Sequence, residues 1–140
     1  MNKKIFLYHS EVDILEDKYD YMDIKKLDDI EDDSISSDLF IFDLLDSVSL
    51  QEADSILKKI NNKILSKTTL EVQSIDIFSI SSSLLNKHID IEMYNNMIFS
   101  TGKKHIKSLE RVTDLLRLNN FSILETKFIN GIQYYVKAEK

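Results

Sequence analysis

The sequence predicts an α/β domain: a mainly parallel sheet with helices on its faces and an antiparallel β-hairpin at the C-terminal end. Three observations predict it. Leu39-Phe40-Ile41-Phe42 is a continuous apolar run bounded by acids, which is how a strand covered on both faces reads. Strands and helices then alternate through the middle of the chain, and that order implies parallel pairing through right-handed crossovers. Finally, two long segments rich in β-branched and aromatic residues flank Asn130-Gly131, the strongest short-range hairpin signal and one that demands a type I′ turn.

The elements follow in order. Lys4-Ile5-Phe6-Leu7-Tyr8 reads as a short strand, and Tyr19 to Ile24 as a second, edge-like one. Residues 25–37 read as a loop, with Asp32-Asp33-Ser34 as turn chemistry. After the apolar run, Ser49 starts a helix, and Glu52 three residues on completes a capping box. Ala53, Ile56, Leu57, Ile60 and Ile64 give that helix one apolar stripe, while Lys58, Lys59 and Lys63 lie where the helix dipole favours cations. Thr68 to Ser74 alternates as a strand. A helix over 76–86 carries Ile77, Ile80 and Leu84, and Met93 to Phe99 forms a short helix before a loop around Gly102. Ser108 caps the last helix, with Leu109, Val112, Leu115 and Leu116 inward and Asn119-Asn120 ending it. The hairpin pairs 121–129 with 132–138.

At 140 residues and 43% hydrophobic, the chain is one domain (1–140) with enough apolar residues for a core. Its apolar runs are far too short to cross a bilayer, and the acids after Lys3 and Lys4 do not suit a signal peptide. It has no Cys, which fits a reducing cytoplasm and excludes disulfide and thiolate chemistry. The net charge of -6 is uneven: residues 11–38 hold twelve acids against Lys18, Lys25 and Lys26. Such a stretch is either a solvated acidic surface or a docking face for a basic protein, and it would repel nucleic acid. The last forty residues are mildly basic, with Lys103, Lys104, Lys107, Arg111 and Arg117, but lack the interleaved aromatics of a single-strand binder.

Few chemical motifs are present. No P-loop, H-E-x-x-H or EF-hand loop occurs, and no G-x-S-x-G elbow surrounds the serines of 79–83. His9 and His88 have no recognisable partners. Asp43 and Asp46 sit at the carboxyl end of the apolar strand, where ligands bind in open α/β sheets. Two carboxylates make a weak metal site, so no metal is expected.

From about residue 19 to 138 the chain resembles the C-terminal two thirds of a class I S-adenosylmethionine-dependent methyltransferase. Tyr21-Met22-Asp23-Ile24 with Lys26 to Ile35 resembles the family's "D-x-x-x-L-P-F-x-D-x-S-F-D". Phe42-Asp43-Leu44-Leu45-Asp46-Ser47-Val48 resembles "x-x-V-L-E-H-I". Gly102-Lys-Lys-His105-Ile-Lys-Ser108 with Leu115-Leu116-Arg-Leu-Asn-Asn-Phe121 resembles "G-x-x-H-x-x-S…L-L-x-x-x-G-F", and the terminal hairpin resembles the family's last two strands. The resemblance implies a reduced, Rossmann-like methyltransferase fold with the apolar run as its fourth strand. It assigns Asp23 to the adenine amino group of S-adenosylmethionine, Asp43 and Asp46 to the cofactor side, and His105 to the substrate side as a candidate base.

The departures are equally specific. The family's first strand leads into a glycine-rich turn, because a Cβ would block close approach of the backbone to the cofactor. Here Tyr8-His9-Ser10-Glu11 follows, and Gly102 and Gly131 are the only glycines. Asp28 replaces the proline of "L-P-F", and Ser66-Lys67 replaces a glycine pair. A truncated methyltransferase-like module without methyl transfer is therefore expected, with one sheet face or edge left uncovered and closed by self-assembly or by a full-length relative. The alternatives are a small methyltransferase acting on a metabolite or sugar, and an unrelated small α/β binding domain.

Overall fold

The computed structural model describes residues 3–8, 16–99, 103 and 105–140. His9, Glu11 and Asp13, with Gly102 and Lys104, lie outside them. The described chain forms one six-stranded sheet with strands β1 Lys4–Tyr8, β2 Tyr19–Asp23, β3 Leu39–Phe42, β4 Thr69–Ile75, β5 Ser122–Ile129 and β6 Gln133–Glu139. Their spatial order is β2-β1-β3-β4-β6-β5. The first four are mutually parallel, and β6 joins β4 antiparallel with β5 beyond it. The apolar run is thus a central strand with the bounds its sequence gives, and β2 is an edge.

The helices are α1 Leu50–Lys63, α2 Ile77–Leu85, α3 Ile91–Phe99 and α4 Leu109–Leu118. Ser49 caps α1 as expected: its hydroxyl accepts the Glu52 N–H at 3.2 Å and donates to the Glu52 carboxylate at 3.2 Å. Residues 25–37 are not simply a loop, because Ile24–Asp29 forms a 3-10 helix that buries Ile24 and Leu27, one 3-10 turn apart. The hairpin turns through Asn130 (φ 56°) and Gly131 (φ 69°), and Ile132 N–H bonds to Ile129 C=O at 3.3 Å, as a type I′ turn requires.

Strand alternation splits the sheet into two unlike faces. One carries Leu7, Leu39, Ile41, Leu70, Val72, Tyr134, Val136 and Ala138, and packs on Ala53, Leu57 and Ile60 of α1 and Val112, Leu115 and Leu116 of α4. The other face of β1, β2 and β3 carries Phe6, Tyr19, Tyr21, Phe40 and Phe42. These rings pack on one another. Phe6 meets Tyr19 and Phe40 edge-on, each at 5.4 Å between centroids, and Tyr19 stacks on Phe40 at 5.5 Å. All but Phe42 are half-buried, and Phe42 is 39% exposed. The expectation of a strand covered on both faces needs this correction: Leu39 and Ile41 of β3 are buried against the helices, whereas on the other face Phe40 is half-buried among neighbouring rings and Phe42 is exposed.

Three acids of the described part of the acidic stretch pair with lysines elsewhere in the chain. Asp28 pairs with Lys59 at 2.6 Å, Asp32 with Lys63 at 2.8 Å and Asp33 with Lys140 at 2.6 Å. Asp38 accepts the Thr69 N–H at 3.0 Å, which aligns the start of β4.

Candidate functional site

Parallel strands bring their carboxyl ends to one edge, and the chain's candidate residues gather there. Asp23 ends β2 and caps the 3-10 helix, accepting the Lys25 N–H at 2.9 Å while its side chain stays half-exposed. Asp43 follows β3. Since β1 lies between these strands, the two acids stand roughly 10 Å apart across the edge, two strand spacings.

Asp43 turns the chain sharply. Its φ of 55° lies in the left-handed region, which an aspartate tolerates better than most residues. The turn lets its N–H bond to Gln73 C=O at 3.0 Å and aims its carboxylate at β4. Asp43 Oδ1 lies 2.9 Å from Ser74 Oγ, and Asp43 Oδ2 lies 3.8 Å from Lys103 Nζ. Burial pushes the Asp43 carboxyl above its ordinary value, against the opposing pull of Lys103 and Ser74. Asp43 and Lys103 wall a cavity of about 360 Å³ with Met93, Met97, Ile132 and Gln133.

Asp46 is placed differently. It is fully enclosed and bonded through Oδ2 to Ser74 Oγ, and its Oδ1 has no partner among the described residues. Burial pushes its carboxyl up to about 6, with the hydrogen bond from Ser74 pulling the other way. Tyr134 of β6 is also fully buried, with its hydroxyl unpartnered among the described residues. His105 is exposed, and its backbone N–H bonds to Asp46 C=O at 2.9 Å. It lines a smaller hollow with Ile98, Phe99 and Lys103, so Lys103 is the wall between that hollow and the Asp43 cavity.

Sequence reasoning missed three residues here. Ser74 joins Asp43 to Asp46. Lys107, only 2% exposed, donates from Nζ to Leu45 C=O, to Val48 C=O at 2.9 Å and to His105 C=O at 2.8 Å. Asp76 accepts from Ser79 N–H at 2.8 Å and Leu109 N–H at 2.7 Å, so one buried carboxylate holds the first turns of both α2 and α4. A larger cavity of about 740 Å³ opens between those two helices and the tip of the hairpin. Among the described residues no cluster of three or more His, Cys, Asp or Glu could hold a metal, and no helix is long and apolar enough to cross a membrane.

S-adenosylmethionine fits these residues poorly. Of the two acids assigned to its side of the loop after β3, Asp46 is sealed in the core and Asp43 is already engaged by Ser74 and Lys103. The connection leaving β1 contains no glycine that would let backbone approach a ligand.

No protein-family model matches the chain, and no curated protein matches it in sequence. Solved structures do match. A SAM-dependent methyltransferase from Archaeoglobus fulgidus aligns with a TM-score of 0.64 and 16% identity, over 97% of this chain and 75% of its own. One from Thermotoga maritima aligns at 0.60 and 15% identity, over 87% of this chain and 63% of its own. Human N-acetylserotonin methyltransferase, solved in complex with SAM, aligns at 0.63 and 12% identity, over 99% of this chain and 40% of its own. The chain thus spans less than two thirds of the Thermotoga and human proteins. At such identities the likeness is one of fold: with its parallel core and terminal hairpin, the chain has the α/β fold of these methyltransferases.

Proposed function

We propose that this methyltransferase-like domain works as an oligomerising or partner-binding module, without methyl transfer. The observation that carries the reading is the ring-bearing sheet face. Parallel sheets are normally covered on both faces, and here Phe6, Tyr19, Tyr21, Phe40 and Phe42 pack on one another along one face of β1, β2 and β3, with Phe42 exposed. The occupant we favour is a second copy. Two flat sheet faces pack about 10 Å apart with their side chains interleaved, and a two-fold axis uses the same rings twice. Light scattering of the purified chain at micromolar concentration is expected to give a dimer, and Phe40→Lys a folded monomer. A wild-type monomer overturns self-assembly; complex formation with a full-length methyltransferase would then identify the other kind of occupant.

A second reading is a small S-adenosylmethionine-dependent enzyme acting on a metabolite or sugar. It is favoured by the Asp43 cavity, which lies where open α/β sheets bind ligands. A thermal-shift titration separates the two. Ligand at a hundredfold excess over its dissociation constant adds about 2.7 kcal/mol of stability. We expect no shift with millimolar S-adenosylmethionine; a shift that Asp23→Ala abolishes would restore the enzyme reading.

A further inference from the structure

β5 is an outer strand of the sheet, and among the described residues only β6 pairs with it. Its outer N–H and C=O groups are open to a further strand. Register with β6 puts Thr126 and Phe128 on the helix side of the sheet and Glu125 and Lys127 on the other. All of Leu124 to Phe128 is exposed, so the strand is open on either side. On the helix side, the cavity of about 740 Å³ lies between Thr126 and Phe128 and the two helices α2 and α4. Two large apolar side chains stand in the open along this edge, Leu124 at 52% exposed and Phe128 at 57%.

The order of the side chains says what fits the edge. A copy of the chain related by a two-fold axis normal to the sheet would bring its own β5 alongside, antiparallel and with each side chain kept on its own face. Directly opposed residues share a face and side chains alternate, so the axis must pass through a residue. That residue fixes every pair across the seam. An axis at Glu125 sets Glu125 against itself, and one at Lys127 sets Lys127 against itself; like charges directly opposed are destabilising. An axis at Phe128 puts Lys127 opposite the partner's Ile129, and one at Leu124 puts Glu125 opposite the partner's Ile123. An axis at Thr126 puts Glu125 opposite the partner's Lys127, twice by symmetry, with Leu124 opposite the partner's Phe128 and Thr126 opposite its own copy. Opposite charges, apolar pairs and threonine pairs are the favourable combinations across strands.

We propose that β5 pairs antiparallel with β5 of a second copy about a two-fold axis at Thr126, joining two six-stranded sheets into one. The bulge between Ile123 and Glu125 keeps the ladder short, with Glu125 to Lys127 regular on each copy and Leu124 and Phe128 at its ends. Such a contact is weak and forms above the micromolar range. It does not rest on the ring-bearing face, which belongs to β1, β2 and β3 at the other side of the sheet.

The chain has no Cys, so a single introduced thiol reports one position cleanly. Opposed Cα atoms in an antiparallel pair lie about 4.5–5.5 Å apart, within the range that a disulfide bridges. At millimolar concentration in a glutathione redox buffer, Thr126→Cys should form a disulfide-linked dimer about tenfold or more faster than Ser122→Cys, whose two copies would stand roughly 26 Å apart. Both positions, with Glu125 and Lys127, are exposed, so substitution there spares the core. Glu125→Lys or Lys127→Glu, each added to Thr126→Cys, should slow the cross-link about tenfold, and the two reversals together should restore it. A change in thiol reactivity alone would move the two single reversals in opposite directions, because a nearby cation promotes the thiolate and an anion suppresses it. Phe40→Lys should leave the Thr126→Cys cross-link in place, so failure of the ring-face reading and failure of this one are read separately. The proposal is overturned if Thr126→Cys links no faster than Ser122→Cys, which would leave the edge to an extended strand of another protein. It is equally overturned if the double reversal does not restore the cross-link.

Discussion

Lys107 carries more of the structure than its residue type suggests. Its stem is buried and its ammonium serves three backbone carbonyls. Desolvation lowers its pKa, so the three hydrogen bonds compensate a burial that is unfavourable in itself. Lys107→Met keeps the volume and removes the donors, and should cost about 3 kcal/mol in urea unfolding at neutral pH. Arginine should not rescue it, because a planar fork cannot replace a compact ammonium in a closed pocket. Asp46 gives the second prediction at this scale. Its folded pKa, about 6, is raised above the ordinary aspartate value of 3.8, so the folded state holds this proton more tightly than the unfolded chain does. The stability this contributes is full below about pH 4 and is lost as pH rises through about 6, up to ~3 kcal/mol in all. Other carboxylates act in the opposite direction, so the quantity to measure is the difference between wild type and Asp46→Asn. The variant should gain on the wild type by that amount between acid and neutral pH; a flat difference would remove Asp46 as the source. The sequence signals these residues unequally. Ser74 takes the third inward position after Leu70 and Val72, and a hydroxyl there must find a partner inside. Lys107 lies in an irregular segment of ordinary composition, and only the tertiary fold reveals its burial.

Among elements, α1 is the most fully written in the sequence. The cap, the stripe and the C-terminal lysines all appear where local rules put them, and Ala53, Leu57 and Ile60 are buried as the spacing requires. Local chemistry and tertiary packing agree there, so pattern alone suffices. Ser49→Ala should destabilise the protein by about 1 kcal/mol in thermal or urea unfolding, since the Glu52 N–H loses its acceptor. No change would mean that water serves the N–H equally well. The 3-10 helix at Ile24–Asp29 was hidden by the charges around it, because its two buried residues, Ile24 and Leu27, are too few to set a period. The acidic stretch was legible in composition but not in destination. Lysines at 59, 63 and 140 pair with acids at 28, 32 and 33, over separations that no local window spans.

At the scale of the whole molecule, the two faces of the sheet explain both the success and the gap in the sequence reading. A continuous apolar run identifies a strand with no solvated face, and β3 has the bounds so read. It does not say whether a helix or a neighbouring ring provides the cover. Phe6, Tyr19 and Phe40 shield one another across adjacent strands, and rings in such contact gain about 0.5–1.5 kcal/mol per pair beyond their burial. That mutual cover leaves Phe42 as the exposed ring of the layer, and the proposed association would use this face. The consequence is a link between concentration and stability. A partner that binds only the folded state stabilises it by mass action, so above the dissociation constant each tenfold rise in protein should add about 1.4 kcal/mol per bound pair. The wild-type unfolding midpoint should therefore climb with concentration. Phe40→Lys also removes ring contacts within the subunit, and that loss lowers the midpoint equally at every concentration. Lost docking is different in kind, because it removes the slope. A variant that is destabilised but keeps the wild-type slope would show that these rings serve the subunit alone, whereas a flat line places them at the interface.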